Sequence, residues 1–93
     1  GETYAAAIER LVLRPSGARD TALMRWDAIV PNLARNYFKR PGSDVFGNDL
    51  PLFWENFYAA GGLYSTTKDV AAISAAIFEG RLLKPASMEA LLT

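Results

Sequence analysis

A mainly helical fold is what this 93-residue sequence predicts: three helices, with a long irregular segment between the first and the second. Three observations carry that expectation. Apolar residues recur at helical spacing near residues 3–13, 67–79 and 85–92. Each of these spans opens at a residue suited to a helix start, Thr3, Thr66 or Pro85. Residues 21–64, in contrast, show neither helical periodicity nor clean alternation.

In the first helix Tyr4, Ala7, Ile8, Leu11 and Val12 fall on one stripe, with Glu9 and Arg10 opposite. Thr3 is the expected N-cap, and Pro15 is expected to block continuation beyond Arg14. "RPSGARD" then reads as a turn punctuated by Pro15 and Gly17. Further on, "TALMRW" and "LARNYF" suit short extended pieces, and "RPGSDVFGNDLP" reads as a loop by composition. "LFWENFYAAGGLY" is rich in aromatics before it turns at Gly61-Gly62. In the second helix Thr66 is placed to accept from the backbone N–H of Asp69, whose charge also suits the positive end of the helix dipole. Val70, Ile73 and Ile77 form its expected seam, with alanines between them and Gly80 at the left-handed position past its end. Pro85 begins the third helix, with Met88, Leu91 and Leu92 as its apolar edge.

The totals exclude several classes. A chain of 10.2 kDa buries roughly 64% of its unfolded surface, enough for one thin core. Ten basic and ten acidic residues cancel, with no charge run to suit nucleic acid or a membrane surface. No apolar stretch approaches the ~20 residues of a membrane span. The absence of cysteine and histidine removes disulfides, a Ser-His-Asp triad and the usual zinc sites. No cofactor or metal is expected. Asp44, Asp49 and Glu55 are acidic but match no calcium-loop spacing, so they read as solvated loop charges.

Ser65-Thr66-Thr67-Lys68 is a literal Ser-x-x-Lys, in which a lysine one helical turn past a serine can take its proton. The partners such a site requires are a Tyr-x-Asn or Ser-x-Asn and a Lys-Thr-Gly or His-x-Gly. None of these occurs. A Ser-Thr-Thr cluster ahead of an acidic residue and an apolar run is also a capping signal, which needs no partner motif.

The surrounding residues carry a resemblance. Ala60, Gly61, Gly62, Leu63, Ser65, Thr66, Asp69, Val70 and Ala71, followed by Gly80, Leu82, Leu83 and Pro85, resemble one region of the beta-lactamase-related serine hydrolases. That family includes class C beta-lactamases, DD-carboxypeptidases and related esterases. Pro15, Gly17, Asp20 and Thr21 resemble its Pro-Leu-Gly-Met-x-Asp-Thr turn, with Ser16 and Ala18 standing in place of the usual Leu and Met. "NLARNY" resembles its Ala-x-Gly-Tyr, with Asn36 in place of glycine; Asn is the residue after glycine that best tolerates positive φ.

The resemblance runs from Gly1 to Thr93 and implies an internal fragment of the family's helical region. The nucleophile would precede the piece and the Lys-Thr-Gly or His-x-Gly strand would follow it. Ser65 and Lys68 then become a decoy, and the chain holds no catalytic residue of its own. The resemblance further implies a periplasmic or secreted parent that hydrolyses an amide or ester through an acyl-enzyme. In it, Tyr58, Ala59, Ala60, Gly61 and Gly62 would border the substrate. The expected partners are the remaining segments of the parent domain, or a second copy of the chain in a homo-oligomer. A different class also fits: a small helical interaction module, its apolar stripes unpaired. Asp20 is read as a turn stabiliser, and Phe53, Trp54, Phe57 and Tyr58 as core rather than a ligand-stacking wall.

Overall fold

The computed structural model describes residues 1–49 and 53–93. Its first helical run has three parts: α1 (Tyr4–Ile8), a π-helical turn (Glu9–Leu13) and α2 (Arg14–Ser16). Strand β1 (Ala22–Leu23) follows, then β2 (Tyr37–Lys39) and β3 (Phe46–Asn48). A 3-10 segment (Trp54–Ala60) leads to β4 (Leu63–Tyr64), α3 (Thr67–Phe78) and α4 (Pro85–Leu92). The described residues thus hold four α-helical elements rather than three, with two small sheets among them. None of these helices is long and apolar enough to cross a membrane.

Thr3 caps α1 as its sequence position predicts, its hydroxyl accepting from the Ala6 N–H at 3.2 Å. The helical run does not stop at Arg14, however. The wide i→i+5 turn over Glu9–Leu13 carries the chain past Pro15, whose ring and missing N–H would disrupt a regular α-helix. That turn holds an extra residue, which changes the phase of the apolar stripe. Leu11 is 54% exposed, and Leu13, outside the predicted stripe, is buried instead.

The run ends at Gly17, in the left-handed conformation at φ 71°. The Gly17 N–H donates to the Arg14 carbonyl at 3.2 Å and the Ala18 N–H to the Leu13 carbonyl at 3.0 Å, a Schellman closure. Ser16 and Ala18 are both buried. The Ser16 hydroxyl donates to the carbonyls of Val12 and Leu13, which satisfies it without a larger apolar side chain.

Helix α3 ends in the same way. The Gly80 N–H donates to Ile77 at 3.1 Å and the Arg81 N–H to Ala76 at 2.9 Å. Its buried seam differs from the prediction. Asp69 and Ala76 are the buried positions, Ala72, Ile73 and Ile77 are half-buried, and Val70 is 54% exposed. The seam therefore begins at a charged residue, because that residue has buried hydrogen-bond donors to meet. Helix α2 packs on α3, and the Arg81 guanidinium donates to the Pro15 carbonyl at 3.3 Å.

The segment between the helical regions is more regular than composition indicates. Antiparallel β1–β4 pairs Ala22 with Tyr64 and Leu23 with Leu63. The Met24 N–H extends this ladder to the Gly62 carbonyl at 2.6 Å. Strands β2 and β3 form a hairpin, with Phe38 opposite Gly47. Part of the expected loop is thus strand β3, and its last two positions, 50 and 51, lie outside the described residues. Asn32, and not Asn36, takes a positive φ, at 59°. The Asn36 carbonyl instead accepts from the Asp49 N–H at 3.2 Å, continuing the hairpin. Of the aromatic run only Trp54 is half-buried; Phe53, Phe57 and Tyr58 are exposed and do not form a core.

Thr66 at the start of α3 has an extended backbone, and its Oγ1 accepts from the Asp69 N–H at 3.1 Å. Thr66→Ala is expected to lower stability by about 1 kcal/mol, the usual cost of losing an N-cap. Urea unfolding followed by circular dichroism measures it, and an unchanged midpoint would show that the cap contributes nothing.

Candidate functional site

The polar centre of the molecule is built where the turn after α2 meets the start of α3. The Asp69 carboxylate is buried at 3% exposure. Its Oδ2 accepts from the Asp20 backbone N–H at 2.7 Å and from the Thr21 hydroxyl at 2.7 Å. Thr21 Oγ1 also lies 2.8 Å from Ser65 Oγ. These contacts join residues more than forty positions apart. They account for the pairing of β1 with β4, since Ala22 directly follows Thr21 and Tyr64 directly precedes Ser65. Asp20 is a turn residue here, held through its backbone.

Beside this cluster opens a cleft of about 830 Å³. Arg19, Asp20, Asn32, Asn36, Ser65 and Thr66 provide its polar lining; Val30, Leu33 and Trp54 contribute apolar walls. A second cleft of about 400 Å³ lies under the first helical run, lined by Ile8, Leu13, Leu23, Met24, Trp54 and Tyr58 among others. Arg25 borders it too, in a bidentate pair with Asp27 at 2.7 and 2.9 Å. That hydrogen-bonded pairing holds the Asp27 carboxyl below its usual range.

The residues expected to border substrate divide between these clefts. Gly62 lines the larger one and Tyr58 the smaller. Ala59, Ala60 and Gly61 are exposed and line neither. Tyr58 has φ 44° and ψ −120°, a strained conformation for a residue with a side chain, and its ring rests 5.2 Å from that of Tyr4. Gly62 has φ +86°, and a Cβ there would sit 2.9 Å from the Trp54 carbonyl oxygen. Only glycine fits this close approach.

Ser65 and Lys68 do not share a helical turn. Thr66 between them is extended at φ −110° and ψ 159°, so Ser65 stands ahead of the helix and α3 begins at Thr67. Of the acidic residues weighed as cation ligands, Asp44 pairs with Lys39 at 2.6 Å and Glu55 accepts from the Trp26 N–H at 3.2 Å. Sequence reasoning did not find Arg19, Asn32 and Asn36 as cleft residues.

Asp69→Ala would leave the Asp20 N–H without its acceptor and the Thr21 hydroxyl with Ser65 alone, and we expect it to cost about 1–3 kcal/mol. Loss of Asp20 amide protection alongside a lower unfolding midpoint would locate the effect at this contact. Gly62→Ala is expected to destabilise more than Gly17→Ala. Both sites have positive φ, but a Cβ on Gly17 meets nothing within 4 Å. Equal midpoints for the two variants would contradict this.

Known proteins bear on this site. The family model described as Beta-lactamase matches residues 1–93. Among solved structures the chain is similar to the crystal structure of a penicillin binding protein from Bacillus halodurans, with a TM-score of 0.73 and 22% identity. That similarity covers 98% of this chain and 28% of the other, so the chain spans under a third of the protein it matches, and it is a likeness of fold. No curated protein matches. The Gly-Gly turn, the Asp-Thr turn and the capped helix they join are therefore parts of a known domain type, and the chain belongs to the Beta-lactamase family.

Proposed function

We propose that this chain is an internal piece of a serine hydrolase, supplying scaffold and pocket rim while the nucleophile lies elsewhere in the intact protein. One observation carries the reading. The only Ser-x-x-Lys in the chain is split by the extended Thr66, and its serine hydroxyl is engaged with Thr21. A serine held in a structural cluster ahead of a helix has no lysine one turn away to take its proton. Family membership supports the parent activity: attack by a serine on an amide or ester carbonyl, an acyl-enzyme, then its hydrolysis.

The chain's own contribution to that chemistry is positional. The Asp69 contact holds β1 against β4, and Gly62 lets the chain pass within contact of Trp54. Together they set the wall of the larger cleft, which we assign to the substrate side, with Gly62 on that wall and Ala59 to Gly61 leading back from it to Tyr58 at the smaller cleft. Rigid placement of such a rim is worth rate because small displacements of bound substrate are costly.

The 93-residue chain is expected to show no turnover of nitrocefin or p-nitrophenyl esters above buffer. Turnover that disappears in Ser65→Ala would overturn the non-catalytic reading. In a longer hydrolase containing this segment, Gly62→Ala is expected to lower kcat/KM by roughly tenfold or more through the displaced rim. An unchanged kcat/KM would remove Gly62 from the substrate wall.

A further inference from the structure

Hydroxyl protons can be counted through the cluster around Asp69, and the count fixes what Ser65 offers the larger cleft. A carboxylate only accepts, whereas a serine or threonine hydroxyl has one proton and two lone pairs. Thr21 Oγ1 gives its single proton to Asp69 Oδ2 at 2.7 Å. It has none left for Ser65, although Ser65 Oγ lies 2.8 Å away. The proton in that contact is therefore the serine's own, with Thr21 Oγ1 as its acceptor. The other acceptor in reach of Ser65 Oγ is the Thr66 carbonyl at 3.3 Å. In either orientation the Ser65 proton stays within the cluster.

The lone pairs of Ser65 Oγ are left over. Once Thr21 is a donor to Asp69, no hydrogen bond among the described residues is donated to Ser65 Oγ. Ser65 is exposed and lines the larger cleft. The chain behind it is fixed, since Asp69 and Thr21 are buried at 3% and 6% exposure. Each bond in such a chain polarises the next, so a serine that donates toward a carboxylate is a better acceptor than a free one. Asn32 and Asn36 also line this cleft, but their amides carry a donor and an acceptor and can present either. Ser65 presents an acceptor alone.

A ligand group facing Ser65 gains a hydrogen bond only if it brings a proton. An ester or carbonyl oxygen in that place sets lone pair against lone pair, a contact that discriminates against it. Arg19 and Asp20 leave the cleft lining without net charge, which favours a neutral donor over an ammonium group.

We propose that Ser65 is a specificity-determining residue of the larger cleft, accepting a hydrogen bond from a substrate amide N–H that is not part of the bond cleaved. This rests on the assignment of that cleft to the substrate side. The serine that looks like a nucleophile in the sequence is then a reader of the substrate, its polarity set by the buried Asp69 through Thr21. An N–H from other polypeptide of a longer protein has the same chemistry, and the experiment separates the two sources.

The test takes a longer hydrolase containing this segment and two substrates, the p-nitrophenyl esters of N-acetylglycine and of N-acetyl-N-methylglycine. They differ in one amide proton beside the reacting carbonyl. N-methylation is expected to lower kcat/KM by roughly fivefold or more in the wild type, the effect of losing one hydrogen bond. Ser65→Ala is expected to lower kcat/KM for the N–H substrate by about the same factor. In that variant N-methylation costs correspondingly less, because the two changes remove one interaction. Equal kcat/KM for both substrates in the wild type would overturn the proposal. So would a Ser65→Ala variant that slows both substrates by the same factor; a lower unfolding midpoint alongside would give the N–H to the protein's own polypeptide. Gly62→Ala tells this failure from failure of the cleft assignment. A lowered kcat/KM there keeps the larger cleft on the substrate side and confines the failure to Ser65, whereas an unchanged value removes the cleft and the proposal together.

Discussion

The contact between Asp69 and the Asp20-Thr21 turn is the constraint on which the rest of this structure depends. A buried carboxylate is stable only where hydrogen bonds replace the water it has lost. Here the replacements come from a turn nearly fifty residues earlier. That requirement brings the end of the first helical run to the start of α3. Pairing of β1 with β4 follows, and so does the packing of α2 on α3. Thr66 takes part from the other side by capping the helix through the Asp69 N–H, so one short segment satisfies both a helix end and a tertiary contact.

The clefts are consequences of that contact and of two unusual backbone positions. Gly62 allows the chain after the aromatic run to approach the Trp54 carbonyl and to accept from Met24, which brings β4 beside β1. Tyr58 reverses the chain direction at a backbone cost that its surroundings must offset, with its ring against Tyr4. Trp54 lines both clefts and is the half-buried aromatic between them.

Packing outside this centre is thin. The buried apolar side chains among the described residues are Leu13, Ala18 and Ala76, two of them alanines. Large apolar residues such as Trp26, Ile29 and Phe78 face solvent. The similar penicillin binding protein is more than three times as long as the part this chain matches, and in a domain of that size much more surface is removed from water. Hydrogen bonds and helix caps therefore hold a larger share of this arrangement than apolar burial does.

Local signals in the sequence determined the caps at the helix ends, although Pro15 did not stop the first helical run at Arg14. Thr3, Thr66, Gly17, Gly80 and Pro85 each act where short-range chemistry places them, because a cap or a left-handed turn needs only its own neighbours. Family membership was legible for the same reason, since its turn and cap motifs are short and ordered along the chain. The burial pattern was not. Counting at a fixed helical period put Leu11 and Val70 inside, but a π-helical turn shifted the first helix and a buried carboxylate reoriented the second. The hairpin hid in a stretch that composition marks as loop, because strands of three residues leave too few positions for alternation to register. The cleft depended on Arg19, Asn32, Asn36 and Ser65 meeting from three separate segments. Nothing in any one segment encodes that meeting; it is decided by which distant donors a buried Asp69 requires, and only the tertiary structure supplies them.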